Sequence, residues 1–252
     1  MLINDQAVCI RAIDYSETSQ VVTFFARQTG KITAMAKGSK RQRSAFGGPV
    51  EQFSCGNIVF SDSGRDKMAT LVEFDPQTGL VDSSILSADI FVLNCCLFAG
   101  ELVNILTEDY DPHPGLFDSL LVLLRNVSRQ KVPKAEHDKV LARLILFQLC
   151  LLREIGLYPV FESCANCKNP FNTQWQEVYF SYSAGGLICR DCQGAFPDKI
   201  GIDRECAKVL ANIKLLDSAQ ERIVRQAENV LVGYITSVLG RPPKMAKYIL
   251  NL

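Results

Sequence analysis

Apolar and polar positions alternate with a period of two along the first eighty residues, which is typical of β-strands. Short runs rich in Val, Ile, Thr and Phe are separated by polar turns, and one longer irregular connection follows the third run. Five strands with this spacing predict a small closed barrel of the OB type, although an SH3-like barrel would give a similar pattern. The predicted strands are 7–13, 20–26, 31–37, 52–60 and 68–74. Four phenylalanines are predicted to fill the barrel core rather than to contact a ligand: Phe24, Phe53, Phe60 and Phe74.

Beyond residue 84 the apolar positions recur about every 3.6 residues, which predicts helices. The sequence Asp-Pro-His-Pro-Gly at 111–115 breaks this pattern, and Gly156 ends a later helix. The longest apolar runs, 90–100 and 144–152, are shorter than the roughly 18 residues that a membrane span needs, so we expect buried helices and no contact with a membrane. The predicted helices are 85–106, 116–128, 136–155, 204–216, 219–239 and a short one after Pro243.

Two Cys-x-x-Cys pairs, Cys164/Cys167 and Cys189/Cys192, are separated by 21 residues. Four thiolates at this spacing suit one tetrahedral Zn²⁺, and the segment 177–186 can fold as a hairpin that brings the second pair back to the first. Such a site leaves no open position for water or substrate, so its contribution is structural, roughly 10 to 16 kcal/mol of folding free energy by analogy with zinc-finger peptides. The pattern therefore predicts a zinc ribbon.

Disulfide bonds, or a redox dithiol in one of the pairs, are the alternatives to zinc. Both fit less well, because the polar sequence Asn-Asp-Gln at 4–6 interrupts any secretory signal and the remaining cysteines lie in apolar runs. We therefore expect a cytoplasmic protein whose other thiols are small buried side chains. These are Cys9, Cys55, Cys95, Cys96, Cys150 and Cys206.

The predicted fold class is α+β and multidomain, with an N-terminal five-stranded OB-type β-barrel followed by an α-helical domain that carries an inserted four-cysteine zinc ribbon. The predicted domains are the barrel at 1–80, the first part of the helical domain at 81–159, the ribbon at 160–197 and the C-terminal part of the helical domain at 198–252. No internal repeat or low-complexity tail interrupts this order.

Formal net charge is zero, but the charges are unevenly distributed. Residues 18–50 contain six basic side chains and no acidic one, whereas residues 51–120 contain twelve acidic side chains against two basic ones. A basic face on a neutral protein favours salt-sensitive contact with a polyanion over permanent coating of it.

The connection between the third and fourth predicted strands carries most of this basic charge. Three glycines and a proline keep it out of regular structure, so its cations can reach phosphates while an aromatic ring stacks on a base. The candidate DNA-binding residues are Lys37, Lys40, Arg41, Arg43 and Phe46. The alternative is a charged loop that contacts only water, which is what most short charge runs are.

Catalytic chemistry is not indicated. His113 lies between two prolines and His137 at a predicted helix start, and neither has a nearby Ser or Cys in a nucleophile setting. The chain has no phosphate-binding loop of the Gly-x-x-x-x-Gly-Lys type, so no nucleotide cofactor is expected. We therefore expect no catalytic residues and no enzyme.

The order of these parts resembles the bacterial RecO family of recombination mediators over essentially the whole chain. Residues 151–167 are similar to the family's Leu-Leu-x-x-Leu-Gly-Tyr-x-Pro run into the first Cys-x-x-Cys, and residues 185–192 match the second half. Two positions depart from the family pattern, because Lys168 stands where glycine is frequent and Gln193 precedes Gly194.

The resemblance implies a non-enzymatic, nucleoid-associated DNA-repair protein. Such a protein binds single- and double-stranded DNA, anneals complementary strands and works with RecR to load RecA onto DNA covered by single-stranded DNA-binding protein (SSB). Further cations that could extend a DNA track are Arg125, Arg129, Lys131, Lys134, Lys139, Arg241, Lys244 and Lys247. A protein-interaction adaptor with an inert barrel, and an OB protein that binds RNA, remain alternatives.

Overall fold

The computed structural model describes residues 1–42, 44, 46–61, 68–77, 79–82, 86, 88–128, 132–172 and 174–250. The chain divides into two compact units, residues 1–132 and 133–252, which are described separately. Within the described residues, no helix combines the length and apolar character that crossing a membrane requires.

The first unit contains a closed five-stranded barrel with the strand order β1-β2-β3-β5-β4, in which β1 also pairs with β4. Strands β3 and β5 are parallel and the other pairs are antiparallel. This connectivity is that of the OB fold, so the predicted fold of the region is confirmed. The strands are β1 (Leu2–Asp14), β2 (Gln20–Ala26), β3 (Gly30–Ala36), β4 (Cys55–Ser61) and β5 (Ala69–Pro76).

Strand β1 is longer than the predicted segment 7–13, because residues 2–8 pair in register with β4. The sequence concealed this half, since it contains three consecutive polar residues, 4–6. Asp5, one of them, is 93% buried, and its Oδ2 accepts hydrogen bonds from Gln28 N at 2.9 Å and Thr29 N at 2.8 Å in the turn between β2 and β3. A carboxylate that the sequence pattern suggests is exposed is therefore buried in a strand, with its hydrogen bonds made.

The barrel interior is filled by alternate residues of its strands, as the period of two requires. Phe24, Phe60 and Phe74 all lie in this core, and the ring centroids of Phe24 and Phe74 are 5.6 Å apart. The connection after β3 adds the side chains of Phe46 and Val50 to the same cluster.

Phe53 is buried but does not belong to that interior cluster, which corrects its predicted position. Its φ of 67° is in the left-handed region, and its N–H donates to Cys9 O at 2.7 Å. A Cβ added to Gly100 would lie only 3.5 Å from the Phe53 ring. The left-handed turn at Phe53 therefore directs its ring to a helix outside the barrel and delays the start of β4 to Cys55.

The described part of the first unit also contains the helices α1 (Ile90–Leu106) and α2 (Pro114–Ser128). Helix α1 starts later than the predicted residue 85, because Asp89 caps it by accepting from Phe91 N at 2.9 Å and Val92 N at 3.2 Å. Residue 85 itself lies outside the described residues.

Side chains from β2, the following turn and β3 bind these helices. Lys31 Nζ donates to the carbonyls of Asn104 and Thr107 at 2.8 and 2.7 Å, which satisfies the end of α1. Phe25 packs on Phe117 of α2 with ring centroids 6.3 Å apart. The helices therefore cover one part of the barrel's outer wall.

The second unit is helical and carries a three-stranded sheet of order β7-β6-β8, which contains the predicted hairpin. Its elements are α3 (His137–Glu154), β6 (Val178–Ser181), β7 (Gly186–Cys189), β8 (Lys199–Ile202), α4 (Arg204–Ala211), α5 (Glu221–Leu239) and α6 (Ala246–Leu250). The predicted helix 204–216 is interrupted at Asn212, whose φ of −135° ends α4 and whose side chain accepts from Lys214 N to start a 3₁₀ segment at 213–218.

An aromatic cluster fastens this sheet to the helices of the second unit. The Phe180 ring lies 5.9 Å from the Tyr234 ring of α5 and 6.0 Å from that of Phe161. Gly233 of α5 is so close to the Tyr182 hydroxyl that a Cβ there would collide with it. The close packing of the sheet on α5 therefore requires a glycine at position 233, in the middle of the helix.

Candidate metal centre and nucleic-acid interface

The four predicted metal-ligating cysteines converge on one point. The sulfur atoms of Cys164, Cys167, Cys189 and Cys192 all lie within 4.8 Å of one another, and those of Cys167 and Cys189 are 3.8 Å apart. Sulfurs at the corners of a tetrahedron around Zn²⁺ are also about 3.8 Å apart, given Zn–S bonds of about 2.3 Å. The cluster can therefore hold a metal ion.

Two tight turns present the cysteine pairs. In the first, Lys168 N donates to Cys164 O at 2.9 Å, and Lys168 takes a left-handed φ of 64°. In the second, at the end of β7, Cys192 N donates to Cys189 O at 3.1 Å. Glycine adopts a left-handed backbone without strain, which explains why glycine is frequent at the position of Lys168 in the family that the sequence resembles.

Hydrogen-bond donors surround the sulfurs. Asn166 Nδ2 lies 3.3 Å from Cys192 Sγ, and Cys189 N lies 3.5 Å from Cys164 Sγ. Burial opposes ionisation of Cys164, but N–H groups of the two turns outweigh it and lower the pKa of this thiol to about 7. Four cysteine sulfurs that converge at this spacing form a donor set that fits a thiophilic ion such as Zn²⁺.

All ten cysteines are free thiols, which does not support the disulfide alternative. Outside the cluster Cys150 is half-buried and the other five are buried, as predicted. Burial raises the pKa of Cys9, Cys96 and Cys206 to about 12. These thiols are therefore poor nucleophiles.

The connection between β3 and β4 contains the candidate DNA-binding residues, and residues 37–50 are called the basic loop from here on. One buried side chain, Gln20 at the start of β2, holds both of its ends. Gln20 Oε1 accepts from Ser39 Oγ at 2.9 Å and from Val50 N at 2.9 Å, while its Nε2 donates to Val50 O at 3.4 Å. The basic loop is thus fixed on the end of the barrel.

Sequence reasoning missed Gln20, although a signal was present. Gln20 has the same parity along β2 as Val22 and Phe24, which both point into the core. A polar residue on the inward side of a strand needs hydrogen-bond partners there. Its partners lie 19 and 30 residues away, so no local pattern could identify them.

The cations of the basic region have different partners. Arg27 forms an ion pair with Asp118 at 2.9 Å, Lys31 binds the end of α1, and Lys40 Nζ lies 2.6 Å from Asp14 Oδ2. Lys37 and Arg41 are exposed and have no ion pair within the described part of the chain. Arg43, also predicted to bind DNA, lies outside the described residues.

Phe46 does not have the position that its predicted role requires. Its side chain is 93% buried in the barrel core, where it helps to hold the basic loop, so its ring is not available to a base. The glycines at 47 and 48, with φ of 70° and 144°, let the chain turn after it. The free energy gained by burying the apolar ring favours this inward position over an exposed one.

The remaining basic residues include two with close contacts. Lys139 lies 3.4 Å from Glu136, and Lys247 lies over the Tyr248 ring. Arg129 and Lys131 lie outside the described residues. The first of the two histidines, His113, has its Nε2 3.3 Å from Asp111 Oδ2.

Comparison with known proteins matches two family models, Recombination protein O N terminal at residues 1–78 and Recombination protein O C terminal at residues 87–247. The chain is 30% identical to the DNA repair protein RecO of Anaeromyxobacter dehalogenans (strain 2CP-C) over 242 residues, which is 93% of this chain and 90% of that protein. It is 30% identical to the DNA repair protein RecO of Shouchella clausii over 100% of this chain and 95% of that protein, and 28% identical to that of Bacillus subtilis over 83% and 76%. An OB barrel, a helical region and a four-cysteine cluster thus accompany similarity along nearly the whole sequence, and the chain belongs to the RecO family.

Proposed function

We propose that this protein is a non-enzymatic mediator of recombinational DNA repair. It binds single- and double-stranded DNA, anneals complementary strands and, with RecR, helps to load RecA onto single-stranded DNA covered by SSB. In this role it acts on DNA at the bacterial nucleoid. Relatives that are named DNA repair protein RecO support the repair role, and the barrel end supports the contact with DNA.

The observation that carries the proposal is the exposed cations of a basic loop that is anchored to the barrel at Ser39 and Val50. Lys37 and Arg41 need not break an ion pair with any described residue before they contact phosphate. The Gln20 hydrogen bonds and the buried Phe46 ring fix the backbone that presents them. Phosphate contacts of this kind are independent of sequence and serve single strands and duplexes alike.

Annealing asks for no catalytic group. It requires neutralised phosphates and bases that are free to pair, and a basic surface with few base-specific contacts provides both. Contacts between exposed cations and phosphates are screened by salt, so they are reversible and allow the annealed strands to be released.

One structural Zn²⁺ is the proposed occupant of the cysteine cluster. Cys164, Cys167, Cys189 and Cys192 would supply its four ligands and leave no position for a substrate. The ion would tie the first turn to the end of β7 and so stabilise the ribbon.

The proposal is tested by binding of a fluorescent single-stranded oligonucleotide across a salt series. Replacement of Lys37 and Arg41 by alanine removes two phosphate contacts, so the slope of log affinity on log salt should become shallower by about 1.4, at about 0.7 per contact. Addition of Arg43→Ala should make the slope shallower by about a further 0.7. A matched control replaces Lys208 and Arg225, which form ion pairs with acidic neighbours on their own helices.

Equal slopes for the wild type and the Lys37/Arg41 variant would contradict DNA binding by the basic loop and favour the adaptor hypothesis. A clear preference for RNA over DNA of the same sequence would favour the RNA-binding alternative. Annealing of two labelled strands, followed by RecA loading on SSB-covered DNA with and without RecR, tests the remaining steps.

A further inference from the structure

The burial of Phe46 leaves the proposed DNA surface without its expected aromatic ring, and the structure offers another ring nearby. The turn between β1 and β2, residues 15–19, lies at the same end of the barrel as the basic loop. Tyr15 in this turn is 69% exposed, against 45% for Tyr248 and 7% for Phe46. Exposure alone means little, since single apolar residues are common on protein surfaces.

Tyr15 is held on a rigid turn. Its N–H donates to Ser19 O at 2.9 Å, and Ser16 N donates to the same carbonyl at 3.2 Å. The Ser16 hydroxyl in turn accepts from Ser19 N at 3.2 Å. Because the backbone of the turn is already fixed, little conformational entropy is lost when a ligand stacks on the Tyr15 ring.

The turn is joined directly to the basic loop. Gly38 N donates to Ser19 Oγ at 3.1 Å, and Lys40 N donates to Thr18 O at 3.1 Å. Asp14, which precedes Tyr15, forms the 2.6 Å ion pair with Lys40. The aromatic ring and the exposed cations are therefore parts of one surface.

An apolar row extends this surface across the strands. Ile13 pairs with Val21, and Val21 pairs with Met35. All three point outward, because their neighbours Val22 and Ala34 point into the core. Ile13 is 43% exposed, and Val21 and Met35 are half-buried. Elsewhere on the same two strands, Phe25 and Lys31 contact the helices α2 and α1.

We infer that Tyr15 stacks on an unpaired base of single-stranded DNA, with Ile13, Val21 and Met35 as an apolar floor for the neighbouring base and Lys37 and Arg41 on the phosphates. The inference rests on the proposed DNA-binding function and assigns its base contact. Apolar and aromatic groups accept any base face, and the adjacent cations select a polyanion over a neutral peptide. Stacking requires bases that are not already paired, so this contact distinguishes single strands from duplexes.

The test measures binding of three labelled ligands at fixed salt by the full chain. These are an oligothymidylate, a strand of the same length without bases, and a duplex. Tyr15→Ala should weaken binding of the oligothymidylate about tenfold, a typical effect of removing one stacked base, without changing its salt slope. Binding of the strand without bases and of the duplex should stay within about twofold of the wild type, because neither offers a free base.

Tyr15→Phe should bind the oligothymidylate as the wild type does, since stacking uses the ring and not the hydroxyl. Tyr248→Ala is the matched control, because it removes an exposed tyrosine that lies in the second unit, and it should have no effect on binding. Tyr15→Trp adds an exposed indole whose fluorescence should be quenched by the oligothymidylate, whereas the native Trp175 is buried.

Wild-type affinity of Tyr15→Ala for the oligothymidylate would overturn the inference, as would an equal loss on all three ligands. Either result, with a wild type that binds DNA in a salt-dependent way, would leave the proposed function intact. A wild type that binds none of the three would overturn both.

Discussion

The cysteine cluster and the basic loop are built in opposite ways. The four sulfurs converge within 4.8 Å, and two of the cysteines are buried. In the basic loop the interior groups are a ring and an amide, Phe46 and Gln20, and the cations lie outside. Convergent ligands suit one small ion and the stability of the surrounding fold, whereas outward charges on a fixed backbone suit a large polyanion. The two regions should therefore fail separately when they are mutated.

The largest effect is expected at the cysteine cluster. Cys164→Ser removes one of four ligands, so stoichiometric zinc should be lost together with several of the roughly 10 to 16 kcal/mol that such sites contribute. Metal analysis and thermal unfolding measure this, and DNA affinity should remain within about twofold because the barrel belongs to the first compact unit and the cluster to the second. Cys150→Ser, outside the cluster, should retain the metal. If the variant lost DNA affinity together with zinc, the cysteine cluster and the basic loop would not be independent.

Glu228 of α5 provides a pH test that addresses only the second unit. Its carboxyl is 99% buried, and Gln148 Nε2 donates to its Oε2 at 2.6 Å. Burial raises the pKa of Glu228 from 4.5 to about 8, so the folded chain holds a proton that the unfolded chain releases. The contribution of Glu228 to stability should therefore be greatest below about pH 4.5 and fall as the pH rises to about 8, by on the order of 3 kcal/mol at pH 7.

Glu228→Gln should abolish this pH dependence. Neither Glu228 Oε1 nor Gln148 Oε1 has a hydrogen-bond partner among the described residues, and a new amide can donate to the latter. Denaturant unfolding of the wild type and the variant between pH 4.5 and 8 measures the difference. Parallel stability curves would show that Glu228 is not a neutral acid in the folded chain.

A smaller effect is expected when the anchor of the basic loop is removed. Gln20→Ala leaves the buried Ser39 hydroxyl and Val50 N–H without their acceptor, which should cost about 1–3 kcal/mol of stability. Oligonucleotide affinity should fall although no cation is changed. Gln52→Ala, which removes one half-buried contact to Ile10 O, is the matched control. Unchanged DNA affinity in a folded Gln20 variant would mean that rigidity of the loop is unimportant.

The smallest effect concerns the first cysteine turn. Lys168→Gly relieves the left-handed backbone at φ 64° and should stabilise the ribbon by up to about 1 kcal/mol. Lys168→Ala keeps the strained Cβ and loses the Nζ hydrogen bond to Ala165 O, so it should not stabilise. Thermal unfolding of the zinc-loaded variants separates the two, and equal behaviour would remove backbone strain as the explanation.

Local patterns predicted those parts of the molecule whose causes are local. Strand β2 has the predicted bounds, because the run from Gln20 to Ala26 is rich in the β-branched and aromatic residues that favour strands. The cysteine cluster also followed from spacing, since each pair fits one tight turn and the hairpin joins them. Geometry that a few consecutive residues determine is visible in their order.

Features that depend on distant partners could not be predicted in this way. Phe46 looks like an exposed loop aromatic until Gln20 and the barrel core draw its segment inward. Lys40 looks like a phosphate ligand until Asp14, 26 residues away, is seen beside it. The sequence shows which charges exist, and only the fold shows which of them are already paired.

The contacts of Lys31 and Phe25 with α1 and α2 bear on how the chain can be dissected. A fragment that stopped after β5 would uncover Phe25 and Ile10 on the barrel wall and leave the Lys31 ammonium without its helix carbonyls. Exposed apolar strands invite aggregation, so such a fragment is a poor choice for isolated biochemistry. A cut near residue 132 keeps the barrel with the helices that shield it, and it offers a minimal fragment for measuring DNA binding without the ribbon.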